Sequence, residues 1–259
     1  LNLLNKMSVS LDQIKSLRER TGVSMTTCKN ALEEAGGDEE KAIEVLRKKG
    51  ATKAAERADR ATSNGVIAVV HKENKAAMIA LACETDFVAK NPDFIKKAEE
   101  LAEKLLKEGE DVDLSAEIAD MNIRLGEKIE VKDKKVLEGK KLGKYVHLNN
   151  RIGVVISTSG GDEEVVKDIA MHIAAMKPIN ISPDEVSSDL IAKEKEIWRE
   201  LLRTEGKPEQ IWEKIMEGKE KKFREEYALL TQPFVKDPEK LIKDLLGAET
   251  VSEFWRFEV

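Results

Sequence analysis

Met78-Ile79-Ala80-Leu81-Ala82-Cys83-Glu84-Thr85-Asp86-Phe87-Val88 leads from an apolar stretch through a short polar junction. Beyond it lies Asp93–Leu106, dense in Lys and Glu, with apolar residues at helical spacing. Met78–Ala82 reads as a buried strand and the junction as a strand-to-helix turn. That turn carries a carboxylate beside a large ring, in a chain with only 4% aromatic residues. Connections of this kind run over the surface and often carry function. The residues themselves leave two readings open. In one, Thr85 or Asp86 caps the following helix and Phe87 packs back on its first turns. In the other, a rigid strand presents the Asp-Phe pair to another protein.

Working outward, residues 8 to 50 predict three short helices. Ser10 caps the first, with Leu11, Ile14 and Leu17 at helical spacing, and Thr21-Gly22-Val23 breaks it. Ser24 caps the second, whose stripe is Met25, Cys28, Leu32 and Ala35; Gly36-Gly37 ends it. The third starts at Asp38, buries Ala42, Ile43 and Leu46, and is expected to close at Gly50. The Ala-rich, charged residues 52–64 lack an apolar stripe and read as a linker.

An internal repeat follows. Gly65–His71, a polar turn, strand 76–82 and a helix with Phe94, Ala98, Leu101 and Leu105 form the first copy. Lys144–His147, the turn Leu148-Asn149-Asn150-Arg151, strand Ile152–Ile156 and a helix with Val165, Ile169, Ile173 and Met176 form the second. Each copy has a His at the same place. A hairpin is marginal alone and needs a helix on its apolar face, so two duplicated hairpin-plus-helix subdomains are expected. Between them, Ala116–Leu125 reads as a helix and Ile129–Lys132 as a strand. From Pro183 to Tyr227, two long charged helices flank Gly206-Lys207-Pro208-Glu209. Their thin seams, Leu190, Ile197 and Leu201 against Ile211, Ile215 and Phe223, predict an antiparallel helical hairpin. A helix over 238–246 and a last strand ending at Val259 complete the pattern. The fold class is α+β: an N-terminal three-helix bundle, then the duplicated core with the inserted helical hairpin.

Composition narrows the function. Asp and Glu exceed Lys and Arg by 50 to 44, a net charge of −6 with a pI near 5.5, which argues against nucleic-acid backbone binding. No apolar run approaches the ~20 residues that span a bilayer. Cys28 and Cys83 lie far apart in apolar surroundings, as in a reducing, cytoplasmic compartment. His71, His147 and His172 lack metal-ligand spacing, no Gly-x-x-x-x-Gly-Lys-Ser/Thr run is present, and no nucleophile–base pair stands out. Neither a cofactor, a metal nor an enzymatic activity is therefore expected. Residues 1–7 read as a leader too short for a signal peptide.

Cys83-Glu84-Thr85-Asp86-Phe87-Val88-Ala89-Lys90-Asn91 resembles the signature of elongation factor Ts. That family supplies the guanine-nucleotide exchange partner of the GTPase elongation factor Tu. Leu17-Arg18-Glu19-Arg20-Thr21-Gly22 with Met25 and Cys28, Gly143-Lys144-Tyr145-Val146-His147, and Ala170-Met171-His172-Ile173-Ala174-Ala175 match further family patterns, in order, across 8–259. Thr26 stands where the family commonly has a second Met.

The resemblance implies a ubiquitin-associated-like (UBA-like) partner-binding bundle over 8–51 and a linker over 52–64. It implies core subdomains at 65–140 and at 141–182 with 227–259, and a coiled-coil insertion at 183–226. A small terminal module that often follows the last strand is expected to be missing. Thr85, Asp86, Phe87 and Val88 would disturb the partner's Mg²⁺ and phosphate site. Arg18, Val23 and Met25 would anchor the bundle through an exposed apolar patch, and His147 would add a core contact. A homodimer or a 2:2 complex with elongation factor Tu is compatible with the insertion. The alternative is a non-catalytic scaffold that binds proteins through the bundle and hairpin.

Overall fold

The computed structural model describes residues 9–259, with side chains of 51–55 left aside; the leader reading falls outside the described residues. The chain divides into two compact units, one of residues up to Ala68, Ile79–Lys134 and Val259, the other of Val69–Met78 and Lys135–Glu258. The fold is α+β.

In the first unit α1 (Leu11–Thr21), α2 (Met25–Glu34) and α3 (Glu39–Glu56) form the bundle. Ser10 and Gln13 make a reciprocal capping box, and α1 ends on left-handed Gly22 at φ 69°. Ile14, Leu17, Val23, Cys28, Ala31, Leu32, Ala42 and Leu46 make its core. Gly50 does not close the third helix, which runs on to Glu56. A β-carbon at Gly50 would collide with Ile123, so glycine there admits a neighbouring helix instead of ending its own. The remainder of the 52–64 stretch is tied down: the Arg60 and Thr62 carbonyls accept from Lys128 Nζ (3.1 Å) and Lys132 Nζ (2.8 Å).

β1 (Asn64–Lys72) and β2 (Lys75–Cys83) form the first hairpin, turning through Glu73 at φ 55°. After β2 come the single-turn α4 (Asp86–Ala89), α5 (Pro92–Glu108), α6 (Ser115–Leu125) and β3 (Ile129–Glu138). The sheet order is β1-β2-β3. α5 starts on an Asn91 cap with Pro92 in its first turn and buries Phe94, Ala98, Leu101, Ala102 and Leu105.

The second sheet has the same plan, β4 (Lys141–Val146), β5 (Ile152–Thr158) and β8 (Val251–Glu258), with β5 central and antiparallel to both neighbours. Its helix α7 (Glu163–Met176) buries Val166, Ile169, Ala170, His172, Ile173 and Ala174. Met176 is exposed. In each half the second hairpin strand lies at the centre and a strand later in the chain completes the sheet.

Between α7 and β8 stand α8 (Ser188–Thr204) and α9 (Trp212–Tyr227). On α8 the seam is one residue away from the expected stripe, while Phe223 of α9 keeps its expected place in it. Ile191, Trp198, Leu202 and Met216 are buried, while Ile197 and Leu201 are 53% and 47% exposed. Trp198 wins the interior because its ring meets Phe223 edge-on at 5.8 Å, a larger apolar contact than Ile197 offers. The expected helix over 238–246 is also corrected. Residues 237–241 form β7, paired with β6 (Pro233–Phe234), and only Ile242–Leu246 is helical, as α10. Pro238 falls in the exposed middle of β7, where a missing N–H costs little.

Candidate functional site

The Thr85–Val88 turn is built outward from buried β2. Thr85 adopts an extended conformation and caps α4, its Oγ1 accepting from the Val88 N–H at 3.4 Å. The cap is thus real, but it serves α4; Asn91 caps α5. Phe87 does not pack back. Its side chain is 84% exposed, the highest value among the aromatic side chains of the large exposed apolar residues. Asp86 is exposed beside it and accepts from Lys90 Nζ at 2.6 Å, which holds its carboxyl below the ordinary carboxylate range.

A fastened base lies under this tip. Thr85 donates through its backbone N–H (3.0 Å) and its hydroxyl (2.5 Å) to the Glu127 carboxylate. Glu84 accepts the Lys128 N–H at 2.6 Å and pairs with Arg60 at 3.1 Å; the Lys128 N–H is the main cause of its lowered pKa. Asn64 Nδ2 donates to the Glu84 carbonyl at 3.0 Å, and buried Cys83 donates its S–H to the Thr85 carbonyl at 3.2 Å. Glu84, Glu127 and Lys128 escaped the sequence reading because Thr85 and Glu127 are 42 positions apart and no local pattern links them.

The bundle residues fare unequally. Arg18 is exposed on α1, and Met25 is half-buried against the bundle core. Val23 is 6% exposed and belongs to that core, so the expected apolar patch is corrected there. Left-handed Gly22 turns the chain inward before the Ser24 cap, and Ile123 of α6 packs on the same cluster. Arg124 approaches Gly22 so closely that a β-carbon there would lie 2.7 Å from its Nε.

His147 belongs to the second unit. It is exposed at the β4–β5 turn, with Nδ1 3.0 Å from the Tyr145 hydroxyl, and next to it Leu148 is 97% exposed. His172 is fully buried. Its Nε2 donates to Gln232 Oε1 at 2.9 Å while Nδ1 accepts the Val235 N–H at 3.2 Å, so the neutral ring joins α7 to the 232–235 segment. Burial pushes its pKa down. Among the described residues no group of three or more His, Cys, Asp or Glu is placed to hold a metal, and no helix is long and apolar enough to cross a membrane.

A family model described as Elongation factor TS matches residues 84–259. The chain belongs to the elongation factor Ts family. Among its relatives, an elongation factor Ts of Hydrogenobaculum sp. is 44% identical over 98% of this chain and 99% of its own length. Those of Aeromonas hydrophila and Deinococcus deserti are 42% and 41% identical, covering 97% and 96% of this chain and 91% and 99% of their own. Elongation factor Ts is a translation elongation factor, and the matched region takes in the Thr85–Val88 turn.

Proposed function

We propose that the chain is a guanine-nucleotide exchange factor for elongation factor Tu and acts by conformational displacement, with no covalent step. One observation supports this most: a phenyl ring 84% exposed, beside an exposed carboxylate, on a turn bonded to its scaffold. Leaving so large a ring in water forgoes roughly 1.5–3 kcal/mol that burial in a partner would recover. In such a GTPase, Mg²⁺ bridges the nucleotide's phosphate oxygens and protein ligands. Phe87 wedges between partner side chains near that site and shifts the segments that hold the phosphates. Asp86 exchanges its exposed Lys90 partner for the partner's surroundings and brings negative charge toward the magnesium environment.

Thr85 and Val88 hold the turn. Arg18 and Met25 anchor the bundle, and His147 adds a contact from the second unit. Weakening nucleotide binding by about 4 kcal/mol speeds its release about a thousandfold at an unchanged association rate. By linkage, incoming nucleotide weakens the factor's hold equally and expels it. The work is done in the cytoplasm, in keeping with two buried cysteines that form no disulfide.

The test is stopped-flow release of a fluorescent GDP from elongation factor Tu. Substoichiometric amounts of the chain should accelerate it, and Phe87→Ala should lower the rate reached at saturating factor. Binding to elongation factor Tu with unaltered GDP release would replace exchange by the scaffold reading.

A further inference from the structure

The helix that carries Phe87 is a single turn, held mainly from its ends. α4 spans only Asp86–Ala89 and has no fully buried residue, Val88 and Ala89 being half-buried, and one turn of helix has little stability of its own. Its far end is tied to the α5 cap, the Asn91 N–H donating to the Val88 carbonyl at 3.0 Å, and its near end is fixed where the chain enters, at Thr85. There Glu127 offers one carboxylate oxygen to the Thr85 N–H and the other to the Thr85 hydroxyl. Bonds to an ionised acceptor are among the stronger ones. The second bond also fixes the hydroxyl proton, leaving the Oγ1 lone pairs aimed for the Val88 N–H that closes the turn.

Glu127 is itself held in place. α6 stops at Gly126, φ 73°, whose N–H returns to the Asn122 carbonyl at 3.2 Å. The Asn122 side chain then accepts the Ile129 N–H at 2.6 Å, closing the corner in which Glu127 sits. The next residue returns the favour, Lys128 donating its N–H to Glu84. Adjacent residues on the two segments thus exchange backbone donors for carboxylates.

We propose that Glu127 is the positioning residue of the exchange turn, aiming Phe87 through Thr85. The inference rests on the exchange function above. A carboxylate suits the corner because it accepts from the Thr85 N–H and hydroxyl at once, leaving the Oγ1 lone pairs to the Val88 N–H. An amide at 127 has a single acceptor oxygen; its NH₂ group would make the Thr85 hydroxyl an acceptor and compete with the Val88 N–H for the Oγ1 lone pairs.

Glu127→Gln, Thr85→Val and the double variant are compared with the parent chain in release of fluorescent GDP from elongation factor Tu, over a range of factor concentrations. Glu127→Gln should lower the saturated rate about tenfold, the effect of a slightly misplaced group. The half-saturating concentration should change less than threefold. The double variant should be no slower than Thr85→Val, because both act through one contact. Hydrogen exchange at the Thr85 N–H should quicken in Glu127→Gln. A full saturated rate in Glu127→Gln, or a loss confined to half-saturation, overturns the role. Should Glu127→Gln fail to fold, Thr85→Val decides: it must slow the saturated rate and Thr85→Ser must recover most of it, or the role is lost. Phe87→Ala separates the two levels. If it releases GDP as fast as the parent, the Phe87 wedge falls and the positioning role with it; if it is slow and Glu127→Gln is not, only the positioning role falls. The exchange function falls only if the parent chain leaves GDP release unchanged.

Discussion

Ile123 of α6 lies against Gly50 in the middle of α3, filling the space that a β-carbon at position 50 would need. Glycine within a helix gives up about 1 kcal/mol of propensity relative to alanine. Here the loss is offset by letting α6 approach the bundle. Gly50→Val should destabilise the chain by about 1–3 kcal/mol through overpacking. Adding Ile123→Ala should return part of that loss. Urea unfolding of the single and double variants measures the coupling, and strictly additive effects would show that the two side chains do not meet.

Phe87→Ala should leave stability within about 0.5 kcal/mol, since an exposed ring contributes little to the folded state. Met25→Ala should behave differently. Its half-buried side chain packs on the bundle core, so the variant should weaken binding to nucleotide-free elongation factor Tu and also unfold more readily. Calorimetric titration and thermal melting, run on both variants, separate the exposed ring from the methionine that also packs on the core.

His172 makes stability depend on pH in a definite window. Burial holds its folded pKa below the ordinary 6.5, so the unfolded chain takes up a proton first as pH falls. Stability is therefore full above about pH 6.5 and declines below it, by up to about 1.4 kcal/mol per pH unit, until the folded pKa is reached. The fall should be visible between pH 7 and 5.5, above the range where the carboxylates titrate. Denaturant midpoints across that interval should slope for the parent chain and flatten for His172→Gln; equal slopes would assign the effect elsewhere.

In the helical hairpin, adjacent stripes have opposite fates. Trp198→Ala should cost about 3–5 kcal/mol, as for a buried large aromatic, whereas Ile197→Ser should stay within about 0.5 kcal/mol. Guanidinium unfolding of the two variants checks the assignment. Similar losses would mean that both stripes are covered in solution.

Much of this architecture was legible locally. The Ser10 and Ser24 caps, the change from uniformly apolar β2 to a 3.6-residue stripe in α5, and Gly206-Lys207-Pro208 between two helices are short-range signals that local physics obeys. The Asp-Phe pair on its turn was legible for the same reason. Where reading failed, competing local signals were nearly balanced. Ile197 and Trp198 both belong to apolar stripes, and 238–246 has helix formers after a proline that pairs in a strand.

The sequence by itself determined most of the elements, the repeated hairpin-plus-helix plan and the residues on the exposed tip, because caps, periodicity and turn chemistry act within a few residues. Only the tertiary structure decided that Gly50 admits Ile123, that Val23 turns inward and that Glu127 grips Thr85. Those outcomes depend on which surfaces meet across dozens of residues. A carboxylate acquires its two donors, and a glycine its neighbour, only once the chain has closed around them.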